Sequence, residues 1–313
     1  MEILFDIVTP VFGLMAVGYL AAVSGLFPQS AARGLSAFVF NFAMPVMLFQ
    51  TAGRAVLPDP FPWGFVLTYY GGVAGVWALA VALSGGFFKS GSSEAILAGM
   101  TCGFANTVML GIPLVLTAYG EAGAVPLFII ISLHSILLIG SATMLIEIAR
   151  GDTRNLIILP WSIGRGIVTN PIIAGLLLGL AANMVGFTTP APVAKMADML
   201  ARAALPCAVF SMGASLAAYR LGGAIGRAGL WSVLKLAGHP ALVWLLGTYV
   251  FDVPALWRDV AVLVAALPVG INVYLLAARY HAGEAAVASS LVLSAGLSFL
   301  TVTVVLHLLD VRV

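Results

Sequence analysis

Long apolar runs alternate with short polar turns along the whole chain. A window of about 20 residues, the length that an α-helix needs to cross a bilayer, finds about ten such runs. The stretches between them, such as LPDPFP at 57–62 and KSGSSE at 89–94, have the composition of turns. The pattern predicts an all-α polytopic membrane protein with about ten transmembrane helices, at 3–23, 34–52, 63–84, 95–118, 123–148, 166–186, 194–217, 229–250, 260–280 and 287–308.

The composition agrees with a chain whose main solvent is lipid. Of its 313 residues, 62% are hydrophobic and only 8% are charged, whereas soluble domains contain roughly 25% charged residues. The formal net charge is +2 and the basic residues form no run, so no nucleic-acid partner is expected. Cys102 and Cys207 both lie inside apolar runs, where a small packing residue is a better interpretation than a disulfide or a metal ligand.

The two halves of the chain look like copies of one another. The longest break between apolar runs, at 150–165, falls near the midpoint of the chain. The intervals between successive prolines inside the spans are 35 and 68 residues in the first half and 35 and 62 residues in the second. Five spans per copy make the copies enter the membrane from opposite sides, which is the inverted repeat of many secondary transporters. We therefore expect a first repeat at 1–150, a linker at 151–165 and a second repeat at 166–313. The prolines are Pro10, Pro45 and Pro113, then Pro171, Pro206 and Pro268.

Lysine and arginine are distributed unequally between the predicted loops. With the amino terminus outside, eight basic residues lie in inside loops and four in outside loops. Because cytoplasmic loops are enriched in Lys and Arg, we expect both termini outside and the linker in the cytoplasm. The compact loops fit a protein of a bacterial inner membrane, in which case the termini are periplasmic. The inside set is Arg33, Lys89, Arg150, Arg154, Arg165, Arg220, Arg227 and Arg279, and the outside set is Arg54, Lys195, Arg258 and Arg312.

Two of the predicted spans contain helix-breaking residues at matching depth. The fourth span holds Gly111 and Pro113, and the ninth holds PVGIN at 268–272. Proline removes a backbone donor and glycine lets the chain unwind, so a break in the fourth span is expected near 111–113. Broken backbone survives in a membrane only where protein or a water-filled cavity satisfies it. If the two breaks cross, the amino termini of the half-helices favour an anion at the midplane.

The candidate substrate contacts are residues at and around these two breaks. The amide of Asn106 can donate to a carboxylate, although an amide that only joins neighbouring helices is the alternative. Asn41 and Ser211 are candidates as well, with packing as the equal alternative. The predicted substrate-binding set is Asn106, Thr107, Gly111, Pro113, Pro268, Gly270, Asn272, Asn41 and Ser211.

Ionisable residues at membrane depth are functional candidates by default, because burying them is costly. His134, near the middle of the fifth span, is a candidate proton relay, and a neutral histidine with a structural hydrogen bond is the alternative. Lys235 and His239 lie one turn apart on the eighth span, where the lysine can snorkel to the interface. Asp198 and Arg202, four residues apart, are expected to form an ion pair.

Enzyme signatures are absent from the sequence. It contains no H-E-x-x-H, G-x-S-x-G, Walker or G-x-G-x-x-G motif, and its four histidines are far apart. We therefore predict no catalytic residues, no metal site and no cofactor.

Three segments resemble the auxin efflux carrier family: NTVMLGIPLVLTAYG at 106–120, LPCAVFSMGASL at 205–216 and AALPVGINVYLLAARYHAG at 265–283. The resemblance extends over essentially the whole chain. It implies ten helices in two inverted repeats, with spans 1, 2, 6 and 7 as a scaffold that is often dimeric. It also implies that spans 3–5 and 8–10 form a transport domain that moves like an elevator.

The same resemblance implies a substrate at the crossover of the fourth and ninth spans. Pro113 and Pro268 correspond to the crossover prolines of the family, and Asn106 to its substrate-facing amide. Unlike the plant members, this chain has no large cytoplasmic loop between spans 5 and 6.

The expected function is secondary transport of small organic anions, either mono- or dicarboxylates that are malonate-like or auxin-like. One alternative is a sodium-coupled carrier of bile-acid type, which places several acidic and amide ligands around its ions. The fourth and ninth spans have no acidic residue in the middle, which argues against sodium. A membrane-embedded enzyme is a further alternative, against which the missing enzyme motifs argue. A non-transporting receptor or scaffold is another, and it does not explain two matched helix breaks.

Overall fold

The described part of the chain is all-helical in its regular structure, as the apolar pattern predicts. Most of the linker predicted at 151–165 lies outside this part, as do Arg154, Arg220 and Arg312, which entered the orientation prediction. The computed structural model describes residues 4–56, 58–151, 161, 164–166, 168–219 and 221–311.

Helices α1 to α6 come from the first half of the chain and α7 to α12 from the second. The first set is α1 (Leu4–Val8 continuing into Thr9–Val23), α2 (Gln29–Ala52), α3 (Trp63–Gly86), α4 (Ser92–Gly103), α5 (Thr107–Gly111 continuing into Ile112–Tyr119) and α6 (Ala124–Arg150). The second set is α7 (Pro171–Met184), α8 (Ala191–Leu216), α9 (Ile225–Val250), α10 (Ala255–Ala265), α11 (Asn272–Tyr280) and α12 (Glu284–Leu308).

Seven helical stretches within the described residues are long and apolar enough to cross a membrane. One of them, Thr107–Arg150, contains both α5 and α6, which a 3₁₀ turn at Gly120–Gly123 separates. The fourth and ninth predicted spans are each divided into two shorter helices, α4 with α5 and α10 with α11. These two divisions place irregular backbone inside the protein.

Prolines inside the helices are accommodated by a local change of helical pitch. In α1, α2, α5 and α9 a π-helical turn ends two residues before a proline. Proline has no N–H and its ring clashes with the carbonyl four residues earlier, and a wider i→i+5 turn relieves both problems. The helix therefore continues through each of these prolines. The turns are Leu4–Val8, Val39–Ala43, Thr107–Gly111 and Leu234–Gly238, and the prolines are Pro10, Pro45, Pro113 and Pro240.

The break in the fourth predicted span lies at 104–106, so its prediction near 111–113 is wrong. The Gly111 N–H donates to the Asn106 carbonyl oxygen at 3.0 Å, a π-type bond that carries the helix past Gly111 towards Pro113. In the ninth span the break does contain the predicted proline, because α10 ends at Ala265 and Pro268 lies before the start of α11.

The helices pack as two groups. One group comprises α1 along α8 and α2 along α7, and the other comprises α3 to α6 with α9 to α12. Small residues allow close backbone approach in the first group, as in many membrane helix pairs. A Cβ at Gly213 of α8 would lie 1.9 Å from the Met15 carbonyl oxygen of α1.

The predicted ion pair between Asp198 and Arg202 is not formed among the described side chains. Asp198 instead accepts a hydrogen bond of 2.8 Å from the side chain of Gln50 in α2. The carboxylate therefore joins α8 to α2 within the first helix group.

Candidate functional site

The two breaks cross and hydrogen-bond to one another in the interior. The Asn106 N–H donates to the Pro268 carbonyl oxygen at 2.9 Å, and the Gly270 N–H donates to the Phe104 carbonyl oxygen at 3.1 Å. These bonds form an antiparallel bridge in which Ala105 faces Val269. We call these two segments, 104–106 and 266–271, the crossover.

The bridge leaves the N–H groups of Ala105 and Val269 without a backbone acceptor in the described part of the chain. Side chains from two further helices accept hydrogen bonds from them. His134 of α6 accepts a hydrogen bond from the Ala105 N–H at 3.0 Å, and Ser294 of α12 accepts one from the Val269 N–H at 3.1 Å. Since Ala105 and Val269 face one another, the two supports are arranged alike around the crossover. An unpaired buried N–H costs roughly 1–3 kcal/mol, so both acceptors stabilise the break.

Gly270 allows the two segments to approach closely. A Cβ at this position would lie 2.7 Å from the Phe104 ring and 3.2 Å from the Ala105 carbonyl oxygen. A larger residue would therefore push the segments apart and weaken the bridge between them.

A cavity of about 110 Å³ lies against one side of the crossover. None of the described residues that line it carries a charge, but several offer hydrogen-bond donors. Since about 10–15 Å³ of such space is enough to hold one water, the cavity has room for a small solute. The lining residues are Phe40, Phe104, Ala105, Asn106, Thr107, Val108, Met109, Ile131, Ser135, Asn170, Ile172, Ile173, Gly270, Ile271 and Asn272.

Three helix amino termini contribute to the wall of this cavity. They are the first turns of α5 and α7 and the residues that lead into α11. Each amino terminus carries a partial positive charge, which stabilises an anion by about 0.3–1 kcal/mol and more when the site is partly buried. The described lining residues are thus uncharged, and the helix starts among them carry partial positive charge.

Two asparagines cap helices at this cavity in the same way. The Asn106 Oδ1 accepts from the Met109 N–H at 3.2 Å, and the Asn170 Oδ1 accepts from the Ile172 N–H at 3.0 Å. Because the oxygen of each amide is held by backbone, its nitrogen is the end that remains available as a donor. Asn106 Nδ2 lies 3.3 Å from the sulfur of Met212, which is a weak acceptor.

Four residues of the predicted substrate set line this cavity together: Asn106, Thr107, Gly270 and Asn272. The other members lie outside its lining. Pro268 belongs to the crossover itself, and Gly111 and Pro113 are buried in α5. The Asn41 amide is exposed and donates to the Ala37 carbonyl oxygen, and the buried Ser211 hydroxyl donates to the Ala208 carbonyl oxygen.

The lining residues that the sequence prediction missed include Phe40, Ser135 and Asn170. For Asn170 a signal was present, because Asn followed by Pro is typical of an N-cap and the first helical position. Pro171, predicted inside a span, is in fact the first residue of α7. The other two residues carry no local signal, since their direction depends on how α2 and α6 pack.

The His134 side chain is fully buried. Among the described residues, its hydrogen bond is the one that it accepts from the Ala105 N–H. An Nε2 atom that accepts an N–H must be unprotonated, so the proton of the neutral ring is on Nδ1. Within the described residues Nδ1 has no hydrogen-bond partner. In this geometry the ring stabilises the backbone of the crossover through its hydrogen bond. Its role as a proton relay remains a prediction.

Lys235 does not snorkel to the interface, so that prediction is wrong. Its side chain is completely buried, and its Nζ donates to the Ala265 carbonyl oxygen at 2.5 Å. Nζ also lies 3.3 Å from Nδ1 of His239. Ala265 is the last residue of α10, so the lysine side chain caps the carboxyl terminus of a half-helix directly before the crossover.

Comparison with known proteins identifies the family of the chain. A family model described as "Membrane transport protein" matches residues 3–306. The chain is 30% identical over 303 residues to a Rhizobium meliloti (strain 1021) protein named "Putative malonate transporter", covering 97% of this chain and 95% of the relative. It is 25% identical over 309 residues to an "Uncharacterized transporter" of Methanothermobacter thermautotrophicus, covering 95% of each. The chain therefore belongs to the membrane transport protein family, the family of the auxin efflux carriers.

Proposed function

We propose that this protein is a secondary transporter of small organic anions, mono- or dicarboxylates such as malonate, and that it binds them in the cavity at the crossover. The observation that carries the proposal is the meeting of three helix amino termini at one small cavity with neutral hydrogen-bond donors. Such a wall favours an anion over a cation, because the partial charge at each helix start is positive.

The donors for a carboxylate come from the crossover side of the cavity. The Thr107 side chain is only 5% exposed, and its hydroxyl has no hydrogen-bond partner among the described residues. The Asn272 side chain likewise makes no hydrogen bond within the described part of the chain. With Asn106 Nδ2 they offer hydrogen bonds to a charged group, each worth about 1.5–3 kcal/mol.

A cavity wall whose described residues are all uncharged suits a transporter that must release its substrate. A fixed cation in the wall would add attraction but slow dissociation, whereas dipoles and amides hold an anion moderately. The relative from Rhizobium meliloti is named for malonate, which is of a size suited to the cavity.

An elevator-type mechanism is the proposed mode of transport. The group α1, α2, α7 and α8 would be the scaffold, and α3 to α6 with α9 to α12 the transport domain, in agreement with the packing. The matching supports from α6 and α12 favour two inverted repeats, at 1–150 and 166–313. We further propose a bacterial inner-membrane location, periplasmic termini and a homodimer formed through the scaffold.

Equilibrium binding to purified protein tests the proposal. Radiolabelled malonate should bind, and unlabelled malonate should displace it at least about tenfold better than the neutral diamide malonamide, because hydrogen bonds to charged acceptors are stronger. Asn106→Asp, which keeps an N-cap acceptor but repels an anion, should weaken malonate binding strongly. Equal displacement by malonamide, or unchanged binding by the variant, would contradict an anion site at the crossover.

A further inference from the structure

The scaffold side of the cavity contains a second amide that the proposed binding of one carboxylate does not use. Asn170 caps α7, and its Oδ1 accepts from the backbone of Ile172 and, at 3.4 Å, of Ile173. Its Nδ2 makes no hydrogen bond within the described residues, and the residue lines the cavity. Asn170 therefore presents a donor at the positive end of a 14-residue helix.

Asn106 and Asn170 come from different helix groups, so the cavity lies between two asparagine caps. A monocarboxylate bound at the crossover would leave the Asn170 donor without a charged partner. The Asn170 donor on a half-buried residue of the cavity wall, together with the unpartnered hydroxyl of Thr107, a residue only 5% exposed, indicates a ligand with acceptors at both ends.

We infer that the cavity selects dicarboxylates, with one carboxylate at Asn106, Thr107 and Asn272 and the second on Nδ2 of Asn170 at the start of α7. This inference rests on the proposed function and identifies its substrate class. A second carboxylate is costly to remove from water unless a donor and a favourable field meet it, and Asn170 with the α7 amino terminus supplies both. Asn170 is then a specificity-determining residue.

The experiment compares malonate with malonamate, its monoamide, which has nearly the same shape but one carboxylate. Binding of both is measured on the parent protein and on Asn170→Asp and Asn170→Ser. Asp and Ser are N-caps as good as Asn, so each variant keeps the acceptor for Ile172 but loses the amide donor. Thermal unfolding shows whether each variant remains folded. If Asn170→Asp does not fold, the comparison of Asn170→Ser with the parent tests the inference.

The parent should prefer malonate, and this preference should fall about 10- to 150-fold in Asn170→Asp, the range expected for one hydrogen bond to a charged group. Asn170→Ser should reduce the preference less. Malonamate affinity should change little in Asn170→Ser, whereas in Asn170→Asp the new negative charge should weaken malonamate binding as well, but less than malonate binding, because malonate carries two carboxylates. Gln29→Ala is the matched control: its amide donates to the Ala214 carbonyl oxygen elsewhere in the scaffold, and its malonate preference should equal the parent's.

Two results would overturn the inference while leaving the proposed function intact. One is equal affinity of the parent for malonate and malonamate, and the other is an unchanged preference in both Asn170 variants. Failure of the parent to bind any carboxylate would instead refute the proposed function itself.

Discussion

Replacing His134 separates a structural role at the crossover from a proton relay. In His134→Leu the Ala105 N–H, which is completely buried, loses its acceptor. The usual cost of such an unsatisfied group is about 1–3 kcal/mol. Hydrogen bonds between membrane helices average about 0.6 and reach about 1.7 kcal/mol, because the unfolded chain in the membrane also finds partners. We therefore expect His134→Leu to destabilise the protein by about 1–2 kcal/mol.

His134→Gln is the matched comparison, because the glutamine side-chain oxygen can accept the same N–H. It should lie within about 0.5 kcal/mol of the parent, a difference typical of a tolerated substitution. Reversible unfolding in mixed micelles measures both values. Substrate uptake with and without a pH gradient gives the second readout: a relay requires both variants to lose any acceleration, since neither side chain titrates. Equal stability of His134→Leu and the parent would refute the structural role.

Three further changes test other parts of the structure. Val56→Cys, in the exposed loop before α3, should react with an impermeant maleimide in intact spheroplasts, whereas Ser92→Cys should not; labelling of Ser92→Cys alone would reverse the proposed orientation. Lys235→Met should weaken malonate binding without abolishing it, because the lysine at the end of α10, directly before the crossover, attracts an anion from outside the cavity wall and methionine does not; unchanged affinity would show that the lysine has no electrostatic part in binding. Gly213→Ala should destabilise the packing of α1 on α8 by about 1–3 kcal/mol, measured by unfolding, since its Cβ would collide with backbone; a neutral result would contradict the close approach.

The apolar pattern was sufficient to predict the helical class and most helices, because the bilayer requires long apolar runs whatever the tertiary structure. Pro113 does not cause the break in the fourth span, which is why the predicted position is wrong. A π-helical turn absorbs that proline, and the break at 104–106 is instead stabilised by hydrogen bonds to Pro268 and Gly270, far away in sequence. Tertiary pairing of this kind leaves no local signal.

The candidate site was predictable only in part for the same reason. Asn106 and Asn272 could be selected because amides are uncommon in such apolar segments, and both line the cavity. Whether a polar residue faces a cavity depends on helix rotation, so Asn41, with a comparable sequence context, lies outside the lining. Asn170 is brought to the site by the packing of α7, and only its capping role could be predicted locally.

Counterflow in proteoliposomes tests the central claim, that the crossover cavity carries small organic anions across the membrane, most directly. Vesicles containing purified protein are loaded with unlabelled malonate and diluted into a trace of labelled malonate. The label should accumulate transiently inside vesicles with the parent protein and much less with Asn106→Asp, whose negative charge faces the same cavity. No accumulation for malonate or any other small carboxylate, with the protein folded, would contradict the claim, as would equal accumulation with Asn106→Asp.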